Sequence, residues 1–470
     1  MNSSKQASDA VQPDDASQFL NVDALLNRFG YFGVHLGLER IQRLLANLGN
    51  PHQQVPIIHV AGSNGKGSVC AYLSAVLAEA GYRVGRYTSP HLIDWTERIC
   101  LNEQPIAPEA FAQVLRQVEA AIAPDQPSPT QFEVITAAMW LYFAQQQVDI
   151  AVVEVGLGGR LDATNVCDRP LVSVITSISR EHWQRLGPTL ADIAGEKAGI
   201  LKPNCPAVVG PLPPEAQAVV EKRIAELNCP AVWPQPAIEI QSGWAVVSPI
   251  PNLFSSESKI QDPKSKIEYP LPLPGAVQLS NSALAIATLQ ILQQQGWEIP
   301  DEAIISGIAK TKWPGRLQWL TWRGHRLLVD GAHNPAGAEA LRQYVDRHGD
   351  QSGEVYGDRS IVWVVGMIGT KDHKEVLQAL LRPNDQLHLV PVPDHEPVDL
   401  DQLAGVAQQI CPQLVACETY ADLELGLQAA TQNAKGVGDQ PTPGALVVLA
   451  GSLYLLGDFF KRFQQDLGTV

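Results

Sequence analysis

The chain is short of basic residues, of cysteine and of unbroken apolar runs, and each shortage closes off a class of protein. Thirty-four Lys and Arg stand against 49 Asp and Glu, a formal net charge of −15. Such a chain repels nucleic acid and anionic membranes at long range, so neither is expected as a partner. A small anion held in a locally basic pocket is still allowed. The seven cysteines (Cys70, Cys100, Cys167, Cys205, Cys229, Cys411 and Cys417) are scattered, odd in number and never spaced Cys-x-x-Cys. They read as reduced thiols, not as a disulfide frame or a zinc site. The most membrane-like stretch, Ala445 to Leu456, is interrupted by Gly451, Ser452 and Tyr454 and is too short to span a bilayer. Residues 1–18 carry Asp14 and Asp15 where a secretory signal needs its apolar core, so a flexible tail and a cytoplasmic protein are expected. No segment repeats at a fixed period, which excludes a solenoid.

What the chain does have is apolar mass. Of its 470 residues 45% are hydrophobic and 18% charged, a composition that folds. Single cores stop growing near about 250–300 residues, so two domains are expected. The recurring unit is a short β-branched run followed by a helical stretch. Val55–Val60 leads through a glycine-rich turn into a helix over Ser68–Ala80. Asp149–Val155 and Leu171–Ile178 are near-continuous apolar runs, as strands buried on both faces of a parallel sheet must be. Helices are expected over Pro108–Ile122, Gln131–Gln146 and Leu190–Leu201, the last capped by Thr189 with Asp192. Alternation of this sort means α/β with crossover connections.

Prolines are frequent across residues 211–274 and Ser255–Lys266 is polar, so irregular or antiparallel strands with a long mobile loop are expected there. Helical periodicity returns at Asn281–Gln295, and Trp313-Pro314-Gly315 breaks the chain at an expected interdomain hinge. The pattern then restarts. Strands are expected at Arg326–Val329, Ile361–Val365, Gln386–Val390 and Ala445–Leu449. Helices are expected over Ala336–Arg347, Lys374–Leu381, Leu400–Ile410, Asp422–Asn433 and Gly457–Leu467. The expected architecture is α/β in two domains. Residues 19–312 form the larger, with a mostly parallel sheet, and residues 313–470 a smaller Rossmann-like α/β domain.

The sharpest chemical signal is Gly62-Ser63-Asn64-Gly65-Lys66-Gly67-Ser68, between a strand and a helix. Glycines let backbone N–H groups turn inward around phosphate oxygens, the lysine adds a point charge, and a hydroxyl can face Mg²⁺. The usual P-loop sets Ser or Thr directly after the lysine, whereas Gly67 intervenes here. Glu154 is the only charge in its strand. Buried, it must be paired, protonated or bound to a cation, and at a strand's carboxyl end it faces the ligand crevice. The metal reading is preferred over a strand-end Glu bonded to a loop. His182 follows another strand end, where a structural hydrogen-bonder is the commoner role. Lys197, read alone, is a solvated helix lysine. Asp330-Gly-Ala-His333-Asn-Pro335 and Gly366–Asp372 end strands of the second domain. Polar loops on the strand ends of both domains suggest a cleft that closes on two substrates.

At this level the residues resemble a known family. The phosphate loop with its intervening glycine is similar to that of the Mur ligase superfamily. Leu36–Ile41, Tyr87–Leu92, Glu154–Asn165, Gly195–Ile200, Trp313–Arg316 and Asp330–Pro335 resemble motifs of its dihydrofolate synthase/folylpolyglutamate synthase branch, in order, from about Leu25 to the C-terminus. The resemblance implies a P-loop-type ATP-binding domain and a C-terminal glutamate-ligase domain. It implies an ATP-dependent amide ligase that phosphorylates the carboxylate of dihydropteroate or a reduced folate and lets the amino group of L-glutamate displace phosphate. The implied cofactor is Mg²⁺, two ions, with ATP as co-substrate, and a monomer is implied. Ser63, Asn64, Gly65, Lys66, Gly67 and Ser68 would hold the ATP phosphates, with Asn281, Arg316 and Asp330 reaching ATP across the cleft. Ser89, Glu154 and His182 would bind Mg²⁺, with Ser68 a further candidate. Lys66, Lys197 and His333 would be catalytic, and Lys197 matches a lysine carbamylated in the family. His35, Leu36, Gly37, Thr130 and Asp162 would lie at the pterin end. Two departures stand out: Glu181 precedes His182 where the family usually has Asp, and Trp183-Gln184-Arg185 differs from the commoner pattern.

Other readings compete. A folylpolyglutamate-only enzyme is the nearest. A cell-wall Mur ligase would carry an extra N-terminal UDP-binding domain, for which residues before Pro51 leave no room. A P-loop switch ATPase would hydrolyse ATP without glutamate, and the second domain's own strand-end Asp and His argue against it. A binding protein that has lost turnover would not retain Lys66, Glu154, His182 and Lys197.

Overall fold

The computed structural model describes residues 22–29, 37–125, 127–254, 266–347, 360–369, 372–394, 397–433 and 445–469. The expected tail, His35, Leu36, residues 255–265 of the polar loop, Thr370 and Lys371 lie outside the described residues. What is described is α/β throughout, built on two large sheets.

The first sheet contains β1 (Ile57–Ala61), β2 (Val84–Tyr87), β3 (Ile99–Leu101), β4 (Gln104–Pro105), β5 (Ile150–Glu154), β6 (Val172–Ile175), β7 (Ala207–Val209) and β8 (Ala231–Val232), in the order β4-β3-β2-β5-β1-β6-β7-β8. All pairings are parallel except the β2–β3 and β3–β4 steps at one edge. β1, β5 and β6 are buried along their whole length, which is why they read as unbroken apolar runs. One face packs on the Lys66–Glu79 and Ala276–Gln294 helices through Val69, Leu73, Leu284 and Ile291. The other packs on Pro108–Ala120 and Gln131–Gln145 through Phe111, Trp140 and Phe143. β1 lies between β5 and β6, the point where strand order reverses, so the loop after it opens on the crevice where α/β sheets bind ligands.

Residues 211–274 differ in part from expectation. Pro214–Leu227 is a regular helix and β8 extends the parallel sheet. Its prolines sit at the helix start, where a missing N–H costs nothing, and none follows inside. The antiparallel strands are real but confined to β9 (Ile238–Gln241), β10 (Trp244–Val247) and β11 (Ile267–Pro270), a separate small sheet. The Asp301–Lys310 helix was also not legible.

The second sheet holds β12 (Gln318–Trp322), β13 (His325–Asp330), β14 (Ile361–Val365), β15 (Gln386–Leu389), β16 (Ala416–Thr419), β17 (Leu446–Ala450) and β18 (Leu467–Thr469), ordered β16-β15-β14-β17-β13-β12-β18. Its five central and outer strands β13 to β17 run parallel, with β12 antiparallel to both β13 and β18. Asp330 therefore ends the second strand of this sheet, not the first. The missed hairpin turns at Arg323-Gly324, both with positive φ (47° and 80°), a geometry usually announced by Asn-Gly. The last helix runs Leu453–Phe463, four residues earlier than expected at its start, because the Ser452 hydroxyl accepts the Tyr454 N–H at 3.2 Å and caps it. No helix among the described residues is long and apolar enough to cross a membrane.

Candidate active site

The carboxyl ends of β1, β2, β5 and β6 face those of β13 across a cleft of about 570 Å³. Its floor is the loop after β1. Gly65 takes φ +87°, and a Cβ there would lie 2.4 Å from Asn281 Oδ1, so only glycine fits. The loop is pinned from β6: Ser63 N–H donates to Ser177 O (2.8 Å) and the Thr176 hydroxyl donates to Asn64 O (2.6 Å). Lys66 opens the following helix, and its Nζ arches back to Gly62 O at 2.9 Å. The ammonium thus sits directly over a ring of backbone groups at a helix N-terminus, which suits a phosphate chain. Ser68 Oγ accepts from Gln278 Nε2 (3.3 Å), and Gln278 Oε1 accepts from Asn281 Nδ2 (3.0 Å), which ties Asn281 to the loop.

Glu154 ends β5 beside this loop, 5% exposed. Burial pushes its carboxyl above the ordinary range, against the opposing pull of Lys66, the Ser89 N–H (3.2 Å), Arg316 and Arg86. A carboxylate held in low dielectric with that deficit is stabilised by a cation placed at it. Ser89 and His182 line the same cleft. His182 lies at its rim with a left-handed backbone (φ 45°), immediately before the short Trp183–Leu186 helix. Among the described residues no group of three or more His, Cys, Asp or Glu side chains converges. The donors on offer are one carboxylate, one imidazole and hydroxyls.

Lys197 corrects the sequence reading. It is not a solvated lysine: 2% exposed, its Nζ lies 2.7 Å from Glu181 Oε1, itself 8% exposed. Burial works to raise the Glu181 carboxyl, but Lys197 above all, with Lys66 and His182, outweighs it and holds the group down at about 2. Burial lowers Lys197, while Glu181 pulls the other way. Glu181 was passed over because its extra methylene departs from the family pattern. The only sequence signal for it was an acid three residues beyond the expected strand Leu171–Ile178.

Across the cleft, Asp330 Oδ2 accepts the Leu317 N–H at 2.8 Å, and burial raises its carboxyl while nearby Arg316 lowers it. The His333 ring Nδ1 pairs with Gly331 O at 2.8 Å. Arg316, Asp330, His333, Asn281 and the phosphate loop all line one cavity. Of the pterin-end residues, the described ones (Gly37, Thr130 and Asp162) do not join them. Thr130 caps the Gln131–Gln145 helix in a reciprocal box with Glu133 (3.2 and 2.7 Å). Asp162 is buried, accepting from Leu157 N–H (2.8 Å), Thr164 N–H (3.0 Å) and the Thr164 hydroxyl (2.6 Å). Neither lines the cleft, nor does Gly37. Arg86 and Gln278, which sequence reasoning missed, do.

Comparison with known proteins agrees with this geometry. Residues 60–289 match the Mur ligase middle domain, and residues 316–462 match the dihydrofolate synthetase C-terminal domain. The chain is 33% identical over 439 residues to the dihydrofolate synthase/folylpolyglutamate synthase of Bacillus subtilis, covering 92% of this chain and 96% of the relative. It superimposes on Mycobacterium tuberculosis folylpolyglutamate synthase complexed with ADP and AMPPCP with a TM-score of 0.78 and 30% identity, over 95% of this chain and 98% of that one. It is similar also to E. coli FolC in complex with DHPP and ADP, with a TM-score of 0.74 and 28% identity, over 94% and 96% of the two chains. With both family models matched and a relative 33% identical aligned over nearly the whole of both chains, the chain belongs to the dihydrofolate synthase/folylpolyglutamate synthase family of Mur ligases.

Proposed function

We propose that the protein joins L-glutamate to dihydropteroate, forming dihydrofolate, and to reduced folates, forming polyglutamates, with ATP converted to ADP and phosphate. The observation that supports this best is the single cleft into which Lys66 and Glu154 project from one sheet and Asp330 and His333 from the other. A carboxylate is a poor electrophile, so one of its oxygens must become a leaving group. ATP supplies that by forming an acyl phosphate. The amino group of glutamate then attacks the acyl carbon and phosphate departs.

The chain's own groups suit each demand. N–H groups of the Gly65–Ser68 turn and the Lys66 ammonium would hold the phosphates, where they offset charge that builds on the transferring group, while Ser63 and Asn64 brace the loop through their N–H bonds to Ser177. Asn281, Arg316 and Asp330 would hold the nucleotide from the facing side. Ser89, Glu154 and His182, with Ser68 beside them, fit Mg²⁺, because the set is hard, oxygen-rich and centred on a carboxylate short of a counter-charge. Mg²⁺ would supply neutralisation of the crowded phosphate oxygens. With so few protein donors, any such ion would keep several waters. Lys197 as an amine is committed to Glu181, so the carbamylation that the family resemblance implies requires that pair to open first. We read residues 19–312 as the ATP-binding domain and 313–470 as the glutamate-ligase domain, in a cytoplasmic monomer.

The test is phosphate release from ATP with and without L-glutamate, offering 7,8-dihydropteroate and tetrahydrofolate separately. Glutamate-dependent release with both, and products one glutamate heavier, is the expected result. Release with tetrahydrofolate alone would narrow the enzyme to polyglutamylation. Glutamate-independent release would replace the ligase reading with a switch ATPase.

A further inference from the structure

Trp313 belongs to the segment that joins the Asp301–Lys310 helix to β12, and so connects the two large sheets. Its indole lies against the start of the phosphate-loop helix. A Cβ on Gly67 would come within 2.5 Å of the ring, so the glycine that interrupts the usual Lys-Ser pair is where the indole seats. Arg86 also lies over this ring, its guanidinium carbon 5.2 Å from the ring centroid. Arg86 comes from β2 and is 8% exposed. Its Nη1 donates to Glu103 Oε2 at 2.6 Å and its Nη2 to Cys100 Sγ at 3.3 Å. Nε is buried without a hydrogen-bond partner, which leaves the indole face as the neighbour that satisfies this part of the cation.

The anchor for Arg86 is itself built by the local chain. Asn102 and Glu103 form the two-residue turn between β3 and β4, both with positive φ (47° and 65°). A non-glycine pair in that conformation costs energy, and here Asn102 Oδ1 takes the Val84 N–H at 2.7 Å while Glu103 reaches Arg86. Edge hairpin, strand β2, linker and phosphate loop are thereby joined by successive contacts, Glu103 to Arg86, Arg86 to Trp313 and Trp313 to Gly67.

We propose that Arg86 is a positioning residue for nucleotide binding, which acts by clamping the Trp313 indole against Gly67 so that the linker and the phosphate loop hold one relative position. The proposal rests on the ATP reading of the loop. Arg86 holds the linker indole and also lines the ATP side of the cleft, so its loss should move ATP affinity and leave the affinity for glutamate alone, and the Trp313→Leu background separates the contact with the indole from any direct pull on the nucleotide. A purely structural role would instead lower the active fraction with all affinities unchanged.

The experiment measures equilibrium ATP binding and the KM values for ATP and glutamate in the full-length protein and its variants, with urea midpoints as the folding control. Arg86→Met should weaken ATP binding about tenfold, as loss of a desolvated cation–π contact would, and change the glutamate KM less than about twofold. Arg86→Lys, which keeps the cation and its pair, should stay within about threefold of wild type. Glu103→Gln, at a half-exposed turn position, should give an intermediate loss even if Arg86→Met does not fold. In a Trp313→Leu background Arg86→Met should add less than about twofold, because the contact it acts through is already gone. Unchanged ATP affinity in both Arg86→Met and Glu103→Gln, or a further tenfold loss in the Trp313→Leu background, would overturn the clamp. A wild-type protein that binds no ATP would overturn the ATP reading and the clamp with it, whereas tight wild-type binding matched by Arg86→Met overturns the clamp alone.

Discussion

Asn64 and Asn334, 270 residues apart, exchange amide hydrogen bonds across the cleft: Asn334 Nδ2 donates to Asn64 Oδ1 at 2.9 Å and Asn64 Nδ2 to Asn334 Oδ1 at 3.3 Å. One belongs to the phosphate loop and the other to the loop after β13, so the two halves of the site are joined by a pair that satisfies itself. Each such bond is worth about 1 kcal/mol net. Asn64→Ala and Asn334→Ala should each raise the KM for ATP about fivefold, and the double variant should be little worse than either. Additive losses in ATP titrations would show that the two amides work separately. Asn334 Oδ1 also caps its helix by accepting the Gly337 N–H (2.8 Å), so Asn64→Ala is the cleaner single change.

Lys66→Ala should reduce product formation by at least about a hundredfold, since it removes the one cation that arches over the loop. The fold should survive, because Lys66 packs on backbone oxygens and fills no core. Circular dichroism and turnover measured together check this, and normal turnover would remove the phosphate-loop assignment.

Glu154→Gln keeps the shape of the side chain and removes its charge. Activity should fall, and the Mg²⁺ concentration needed for half-maximal rate should rise about tenfold or more. A metal titration that superimposes on wild type would return Glu154 to a structural role. Burial raises this carboxyl in the folded protein, so Glu154 itself favours folding at low pH and opposes it as pH rises. Without bound cation, Glu154→Gln should therefore be as stable as wild type or more so at pH 8.

Glu181 runs the opposite way. Its carboxyl is held at about 2 against an ordinary value of 4.5. Below 4.5 the unfolded chain takes up a proton that the folded chain refuses, so the stability this group contributes is complete above pH 4.5 and is lost as pH falls toward 2. Glu181→Gln should flatten that part of the acid-unfolding curve. It also strands the buried Lys197 ammonium, at a cost of about 3–5 kcal/mol in urea unfolding at pH 7. An unchanged urea midpoint would mean that Lys197 finds another partner.

Trp183 departs from the family pattern, and the structure supplies a partner for it. Its indole N–H lies 3.1 and 3.2 Å from the two carboxylate oxygens of Asp372, a residue that follows β14 of the second sheet, and Arg180 lies over the ring while pairing with Glu375 at 2.8 Å. The exposed ion pair is worth little by itself. Trp183→Phe, which keeps the ring and deletes the donor, should lower kcat about threefold, consistent with a lost hydrogen bond to a charged group in a partly solvated place. No change in single-turnover rates would show that the contact has no part in closing the cleft.

Much of the site was legible because its chemistry is local. A glycine-rich turn between a strand and a helix, a lone acid ending an apolar strand, and Asp330 with His333 after another strand are patterns of neighbouring residues, and chain topology delivers strand ends to one side of a sheet. The misreadings share a cause as well. Lys197 looked solvated because helical spacing does not say what covers a helix. Pro214–Leu227 looked irregular because proline count was read without proline position. The β12–β13 hairpin was hidden by a turn of Arg and Gly where Asn and Gly are the usual signal.

The sequence by itself determined the α/β alternation, the restart of that pattern after Trp313-Pro314-Gly315, the phosphate loop and the family, since each depends on periodicity or on short ordered motifs. Only the tertiary structure decided which groups meet: Lys197 with Glu181, Asn64 with Asn334, Trp313 with Gly67 and Arg86. The physical reason is that burial and pairing of charges depend on distances between segments far apart in the chain. A few ångströms there separate a solvated lysine from a buried ion pair, and no local pattern encodes them.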